Sequence, residues 1–465
     1  AEYVTVLVDG RPANAPHTGV ADWDLVPLAA IQSVEVLRGG ASSLYGDAAI
    51  GGVVNVITRM PPGSVRARAT AGEDGALHYS MAASGSLLGA RAQGWASLAR
   101  TDGFRDHAER DARALGLTVD VLERPGASLS VSGLARLRDY DEPGPLAAAA
   151  LRESRTHASP LYKFDHTRES LQRLAVDGSA QAGAARLSGS LTGELRDADV
   201  TRTLTLAPGY GDTKLRRLDT RRLTASAQVD APGLPIPWDD RVTVGFDGSA
   251  GRMDSDYVTV ITGTAEHYQD TPMVGAGLLD EAGDATRTAA AGFIRYELRP
   301  SSRVRVSLGG RMDWLRDAFS PRAPTAGGET AAEHTAFSPR AGVNVQYLRA
   351  AGHEGWAYAN VGRSFKAATP DQLFDRRTIP VPFEPFKITI SNPELRPQYG
   401  VSYEAGAYHH AALAPSLDRI TAERIRDEFT KLMVGADPIA GLRLLVDTGL
   451  ADRFLPELPG LKLAI

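Results

Sequence analysis

The sequence has no cysteine, which excludes disulfide frameworks and thiolate metal sites and leaves the redox compartment open. No apolar run approaches the roughly 18 residues that a spanning helix needs. A membrane barrel is not excluded by that, because its strands alternate and average out, so a mean hydropathy of −0.20 decides nothing. There is no excess of positive charge either: the net charge of −5 argues against a strongly basic nucleic-acid surface over the chain. No phosphate-loop pattern, Gly-x-Ser-x-Gly or His-Glu-x-x-His occurs, so no catalytic residue is assigned and no cofactor is expected. Ahead of the first strand pattern, Tyr3 to Val8, no basic segment followed by an apolar core reads as an export signal.

What is present is organised around Ile31 to Arg59. It reads as strand, glycine turn, short exposed segment, second glycine turn, strand. Val34 and Val36 alternate with Ser33, Glu35 and Leu37, and Val53, Val54, Val56 and Ile57 form a β-branched run. Gly39, Gly40, Gly46, Gly51 and Gly52 stand where a chain must turn or admit another backbone closely. Such a stretch suggests a compact domain filling a space that something else shapes.

From about residue 64 to 408 the texture is repeated alternation. In Val304 to Trp314 the even positions are apolar or Gly; Ala341 to Tyr347 and Tyr399 to Ala407 repeat the period. Short Pro/Gly turns near Pro125, Ala182, Pro300 and Gly352 separate long polar excursions, roughly 138–168, 196–220, 252–288, 313–338 and 364–397. A soluble sheet alternates as well, so period alone leaves sandwich and barrel open. Short turns on one rim and long loops on the other favour the outer-membrane barrel.

The ordered run Val34-Glu35-Val36-Leu37-Arg38-Gly39, Ala41 to Gly46 and Ala49 to Thr58 resembles the end of the plug domain of TonB-dependent outer-membrane receptors. Asp102 to His107, Ser338 to Val343, Tyr358 to Phe374 and Asn392 to Pro397 resemble barrel segments of that family in their usual order. The resemblance implies a mainly β fold: an incomplete transmembrane antiparallel β-barrel with a partial plug domain, followed by a short α-helical tail. It implies plug–barrel ionic contacts at Arg38 and Glu35, with Gly39, Tyr45, Gly46, Gly51, Gly52 and Asn55 as the plug motif. Its expected partners are the TonB complex, outer-membrane lipid and a small ligand such as a ferric siderophore, cobalamin or another metal chelate, with no nucleic acid for the barrel part. The family also calls for an upstream half-plug with the TonB-engaging segment, so the chain reads as truncated at its N-terminus. About fourteen strands are expected, against about 22 in plugged transporters. Such a sheet must close smaller, pair with another chain or stay out of hydrocarbon, where unpaired edges cost several kcal/mol per group.

From Asp418 the period becomes helical. Ile425, Phe429, Leu432 and Met433 share a face behind a Thr421 cap, and Asp437, Pro438 and Gly449 punctuate a second helix carrying Leu442, Leu445 and Val446. This tail is similar to the helical segment of CCA-adding tRNA nucleotidyltransferases and poly(A) polymerases. The catalytic head of those enzymes has no counterpart upstream, so the alternative reading is a non-catalytic fragment of such an enzyme in a chimeric chain. The expected division is a partial plug 1–62, partial barrel 63–410, junction 411–417 and helical tail 418–465.

Other candidates are weaker. His409-His410 lacks a third ligand at useful spacing, so no metal site is assigned. Asp139, Asp141 and Glu142, and Asp254 with Asp256, could chelate or do acid–base work, but solvated loop charges are commoner. Trp356, Tyr358, Tyr399 and Tyr403 suit either aromatic girdles or ordinary strands.

Overall fold

The computed structural model describes residues 3–87, 89–233, 238–271, 277–350, 353–381 and 387–411, with residues 429, 430, 442, 445, 446 and 450. Its first part is a four-stranded sheet of β1 (Val4–Val8), β2 (Arg11–Pro12), β3 (Ser33–Arg38) and β4 (Gly52–Ile57), in the order β2-β1-β4-β3. β1 runs parallel to β4, and β3 runs antiparallel to it with Arg38 opposite Gly52. A short helix, α1 (Ser42–Tyr45), interrupts the path from β3 to β4. Polar side chains tie the connections to this sheet. Asn14 accepts from the Val6 amide at 2.9 Å and donates to the Gly19 carbonyl at 2.9 Å, while Asp9 receives both the amide and the hydroxyl of Thr58.

Fourteen further strands follow. They are β5 (Val65–Ala71), β6 (Leu77–Leu87), β7 (Ala90–Thr101), β8 (Arg110–Arg124), β9 (Ala127–Asp141), β10 (His166–Ala182), β11 (Ala185–Ala207), β12 (Tyr210–Pro232) and β13 (Asp239–Thr264). After them come β14 (Leu279–Ser301), β15 (Val304–Ala323), β16 (Thr330–Ala350) and β17 (His353–Lys366). A two-stranded ribbon, β18 (Ile379–Pro380) with β19 (Lys387–Ile388), then precedes β20 (Gln398–Ala411). The fourteen long strands form one sheet in which each pairs with its sequence neighbour, apart from the step over the ribbon that sets β20 beside β17. The sheet is open, with β5 and β20 as its edges, and is an incomplete barrel. Among the described residues this sheet has fourteen strands, in line with the expectation of about fourteen.

Burial resolves the ambiguity that alternation left. Along β10 the inward row is Thr167, Glu169, Leu171, Arg173 and Ala175, and the outward row includes Leu174. Leu174 is 60% exposed, as Leu115, Leu223, Phe246, Ile294 and Met312 are also exposed, whereas Arg136, Glu169, Glu194, Arg196 and Asp317 are buried. A soluble sheet does the reverse; an apolar exterior over a charged interior is what lipid demands of a wall.

The excursions expected as loops are in large part strand. Residues 196–220 are the hairpin of β11 and β12, turning at Pro208 and Gly209, with Asp197 paired to Asp219 and Arg196 to Thr220. Residues 313–338 are mostly β15 and β16. These strands carry charge on both faces because they continue past any apolar band, so their composition reads as loop. The excursions 138–168, 252–288 and 364–397 do contain connections, with α2 (Ala148–Glu153), α3 (Ala265–Asp270) and α4 (Pro370–Phe374).

Contacts divide the chain into two units. The first, Ala1–Glu297, Ser307–Ala341 and Val361–Ser402, holds the plug and most of the wall. In the second, Leu298–Val306, Gly342–Asn360 and Tyr403–Ile465, the Gln346 amide meets the Arg303 carbonyl at 2.7 Å and the Tyr358 hydroxyl reaches Glu404 at 3.2 Å. In the tail, Phe429, Thr430, Leu442, Leu445 and Val446 are helical, as expected. Ile425, Leu432, Met433, Thr421, Asp437, Pro438 and Gly449 lie outside the described residues.

Candidate functional site

Within the first unit, plug and wall share one apolar cluster. Val6, Val8, Ala13, Ala21, Leu25, Val26 and Met60 of the plug pack with Ala82 of β6 and Leu171 of β10. Around this cluster, charged side chains join the two parts.

The densest group is built on three adjacent strands. Strand pairing sets Arg138 of β9 opposite Glu169 of β10, and Arg136 and Arg196 opposite Leu171, so the charged side chains share the inner face. The plug loop after β2 lowers Asp22 and Asp24 onto them. Asp22 lies 2.6 Å from Arg136, 3.1 Å from Arg138 and 3.6 Å from Arg196; Asp24 lies 3.0 Å from Arg136. Glu169 completes the group, bonded to Arg136, to Arg138 at 2.9 Å and to Arg196 at 3.3 Å. Three guanidinium groups thus face three carboxylates, and the charges cancel. Burial pushes the Asp22 carboxyl up, but the hydrogen bond from Arg136 and the charges of Arg136 and Arg138 outweigh it and hold Asp22 well below the usual carboxylate range. Burial and the neighbouring Asp22 push Asp24 the other way.

Five further contacts fasten the plug. Arg11 pairs with Asp177 of β10, and Arg59 with Asp120 of β8 at 2.5 Å. Arg173, held by Glu194 at 2.6 Å, donates to the Pro12 carbonyl at 2.7 Å. Asp47 accepts from the Ala367 amide at 2.7 Å, and the Ser42 hydroxyl meets the Phe365 backbone. At the other face of the plug, α4 folds inward. Its Thr369 and Gln372 cap each other's backbone, Asp371 takes both ends of the Arg216 guanidinium at 2.7 and 2.8 Å, and the Asp371 amide points to the His17 carbonyl at 3.4 Å.

Burial, with Arg216 and Arg196 nearby, lowers the His17 imidazole to about 4, although Asp371 pulls it upward. A histidine kept neutral when folded opposes folding once it must be charged. Its penalty is absent above the ordinary value near 6.5 and grows as pH falls towards 4. His17→Gln is therefore expected to remove about 2 kcal/mol of acid-side destabilisation between those limits, discounted for the part of the ring that solvent reaches. Urea unfolding in detergent across that range checks it: parallel curves for both proteins would refute the assignment.

The residues expected from sequence fall in two places. Glu35 and Arg38 lie on β3, the outer strand of the plug sheet, and both are exposed. Glu35 accepts from Asn55 at 3.2 Å, Asn55 in turn accepts from the Gly10 amide at 3.0 Å, and Arg38 has no ion pair among the described residues. Tyr45, with Leu44 and Asp47, borders a cavity of about 560 Å³ whose wall side includes Arg287, Arg311 and Asp313. Gly39 and Gly46 take left-handed turns; Gly51 donates to the Tyr3 carbonyl at 2.8 Å. At Gly40 an added Cβ would fall 2.6 Å from the Ser364 hydroxyl, and at Gly52 it would fall 2.3 Å from the Leu37 carbonyl oxygen. Sequence reasoning missed Asp22, Asp24, Arg11 and Arg59 as plug contacts. None sits in a motif, and their wall partners lie 61 or more residues away.

A sheet domain fastened by ion pairs to the charged face of an inside-out antiparallel wall defines a plugged β-barrel receptor. The family model described as "TonB dependent receptor-like, beta-barrel" matches residues 118–422, and that of the TonB-dependent receptor plug domain matches residues 1–53. The chain belongs to the TonB-dependent receptor family. It is 35% identical over 105 residues to the vitamin B12 transporter BtuB of Photobacterium profundum, covering 22% of this chain and 17% of that protein. Its fold is similar to that of the ferric citrate transporter FecA in the unliganded form, with a TM-score of 0.68 and 16% identity over 88% of this chain and 59% of FecA. It is also similar to the siderophore receptor PiuA of Acinetobacter baumannii, with a TM-score of 0.68 and 14% identity over 87% of this chain and 62% of PiuA. The chain thus spans less than two thirds of the relatives it matches. Residues 410–461 match a further family model, "Probable RNA and SrmB- binding site of polymerase A".

Proposed function

We propose that the chain is the receptor part of an energised importer of the outer membrane, carrying a scarce ligand such as a ferric siderophore, cobalamin or another metal chelate. The observation that carries this reading is the plug itself, fastened to the wall by the Asp22, Asp24, Arg11 and Arg59 ion pairs. A domain attached by separable polar contacts can be held at rest and displaced by a mechanical partner, and the TonB complex would be that partner. In this reading the chain is a receptor and not an enzyme, and Glu35 and Arg38 meet further wall charges from the exposed edge of the plug sheet.

Uptake tests the proposal. In receptor-deficient cells, a full-length receptor carrying these residues should support growth on a ferric chelate or on cobalamin only when TonB is present, and should fractionate with the outer membrane as a heat-modifiable band. Purification as a detergent-independent soluble protein would end this reading. For Glu35 and Arg38, Arg38→Ala in a full-length homologue should loosen plug retention and reduce uptake; unchanged values for both would remove that role.

A further inference from the structure

On the rim that bears the long connections lies a cluster that the plug does not use. His107 stands in the connection from β7 to β8, Glu109 immediately before β8, and Asp141 at the end of β9; one ligand-type atom from each lies within 4.8 Å of the others. β8 and β9 pair there, Arg110 opposite Tyr140, and the Asp141 amide bonds the Glu109 carbonyl at 2.9 Å, so these residues are set side by side by the ladder itself.

The surroundings are built around His107. Its backbone is left-handed, with φ of 59°, which a non-glycine residue adopts at a cost of about 1 kcal/mol or more and keeps only where neighbours impose it. Arg105 imposes it in part, donating to the carbonyls of Gly144 at 2.6 Å and His157 at 3.0 Å, and the Asp106 amide bonds the Thr156 carbonyl at 2.8 Å. The ring's Nε2 lies 2.9 Å from the Asp165 carbonyl. A carbonyl only accepts, so Nε2 carries a proton and Nδ1 is the ring nitrogen left to face a ligand. That is the arrangement of a metal-ligating histidine, whose second nitrogen is held by a backbone carbonyl. Nδ1 faces Asp141 Oδ2 at 3.5 Å, while Asp141 Oδ1 is held by His166 Nδ1 at 2.7 Å. His166 Nε2 in turn lies 3.4 Å from Asp139.

We propose that His107, Glu109 and Asp141 bind one first-row divalent transition-metal ion, through His107 Nδ1, the Glu109 carboxylate and Asp141 Oδ2. Bonds of about 2.1 Å in a tetrahedron put neighbouring ligand atoms about 3.4 Å apart, close to the 3.5 Å between Nδ1 and Oδ2. Two carboxylates and a neutral imidazole balance a dication, and Glu109 is exposed, which leaves the fourth position to solvent. The nitrogen donor and the three-ligand count favour an ion of the zinc, cobalt or nickel type over calcium or magnesium, which take six or more oxygens. His166 and the Asp165 carbonyl are positioning groups. The ion would staple the 102–109 connection to β8 and β9, and this holds whether or not the import reading does.

The test uses the full chain in detergent, without a histidine tag, titrated with Co2+ while the visible absorption of tetrahedral cobalt is followed. One equivalent should saturate the signal, Zn2+ should displace it, and excess Ca2+ or Mg2+ should not. His107→Gln and Glu109→Gln should each weaken binding on the order of 100-fold, and His166→Gln about 10-fold. Glu109 is exposed, so its variant keeps the test valid if a His107 variant folds poorly. A His409→Gln, His410→Gln double variant should bind normally. No tetrahedral signal, binding unchanged in Glu109→Gln, displacement by Ca2+, or loss of binding in the His409, His410 variant would each overturn the proposal.

Discussion

An Arg136→Leu variant is expected to lose about 3–5 kcal/mol of stability and to release its hold on the plug. The side chain is 1% exposed and pairs with Asp22, Asp24 and Glu169 at once. Removing it leaves three carboxylates to two arginines, with Asp22 and Glu169 both buried, and an uncompensated buried charge costs more than the pair ever contributed. Arg113→Leu is the comparison: Arg113 pairs with Asp111 on the exposed face at 3.0 Å, and its loss should move stability by no more than about 0.5 kcal/mol. The Asp22→Asn, Arg136→Leu pair should lose less than the sum of the single variants by about 1 kcal/mol or more.

Acidity gives a second handle on the same variant. With Arg136 in place, Asp22 is held below the usual carboxylate range, so its contribution is full above that range and is lost only as pH falls beneath it. In Arg136→Leu the sign reverses, because protonation then relieves the crowded carboxylates. The variant's deficit should therefore shrink on acidification, as read by protease access to residues 13–30. Equal stability of Arg136→Leu and Arg113→Leu would mean that the cage does not hold the plug.

Gly52→Ala is the other large change. Gly52 sits between β1 and β3, paired to Val4 on one side and Arg38 on the other, with φ of 139°, a conformation that L residues rarely adopt. A methyl group there would meet the Leu37 carbonyl oxygen at 2.3 Å, and because the obstacle is backbone, β3 would have to move. We expect a loss of about 3 kcal/mol or more and early proteolysis of the plug. At Gly39, where an added Cβ meets nothing within 4 Å, the same change should cost only the left-handed backbone, about 1 kcal/mol. Similar protease resistance for the two variants would refute the close-approach argument.

The contrast between those glycines shows how much was legible. The run from Val34 to Thr58 marks a plug because its strands and turns are local, and period two marks the wall because each strand carries its own pattern. Which face was wet was not legible, since Leu174 beside Arg173 reads alike in a sandwich and a barrel until burial is known. Nor were the ionic contacts. Asp22 and Arg138 are separated by 116 residues and meet only because β9 to β11 align their inner rows. His107 and Asp141 likewise become neighbours through the pairing of β8 with β9. The charged upper strands were misread as loops because their composition matches one; hydrogen-bonded pairing, which leaves no mark on composition, decides the matter.

The length of those strands has a consequence for a solute approaching the cell. β11 and β12 each run 23 residues. At about 3.3 Å per residue and a tilt near 40°, such a strand climbs roughly 58 Å, against an apolar band of about 25 Å. On their outer side, Leu223 and Val229 give way along β12 to Arg221, Asp219 and Arg217. More than half of each of these two strands therefore stands beyond the hydrocarbon, and a diffusing solute meets their shared turn well before it meets the lipid.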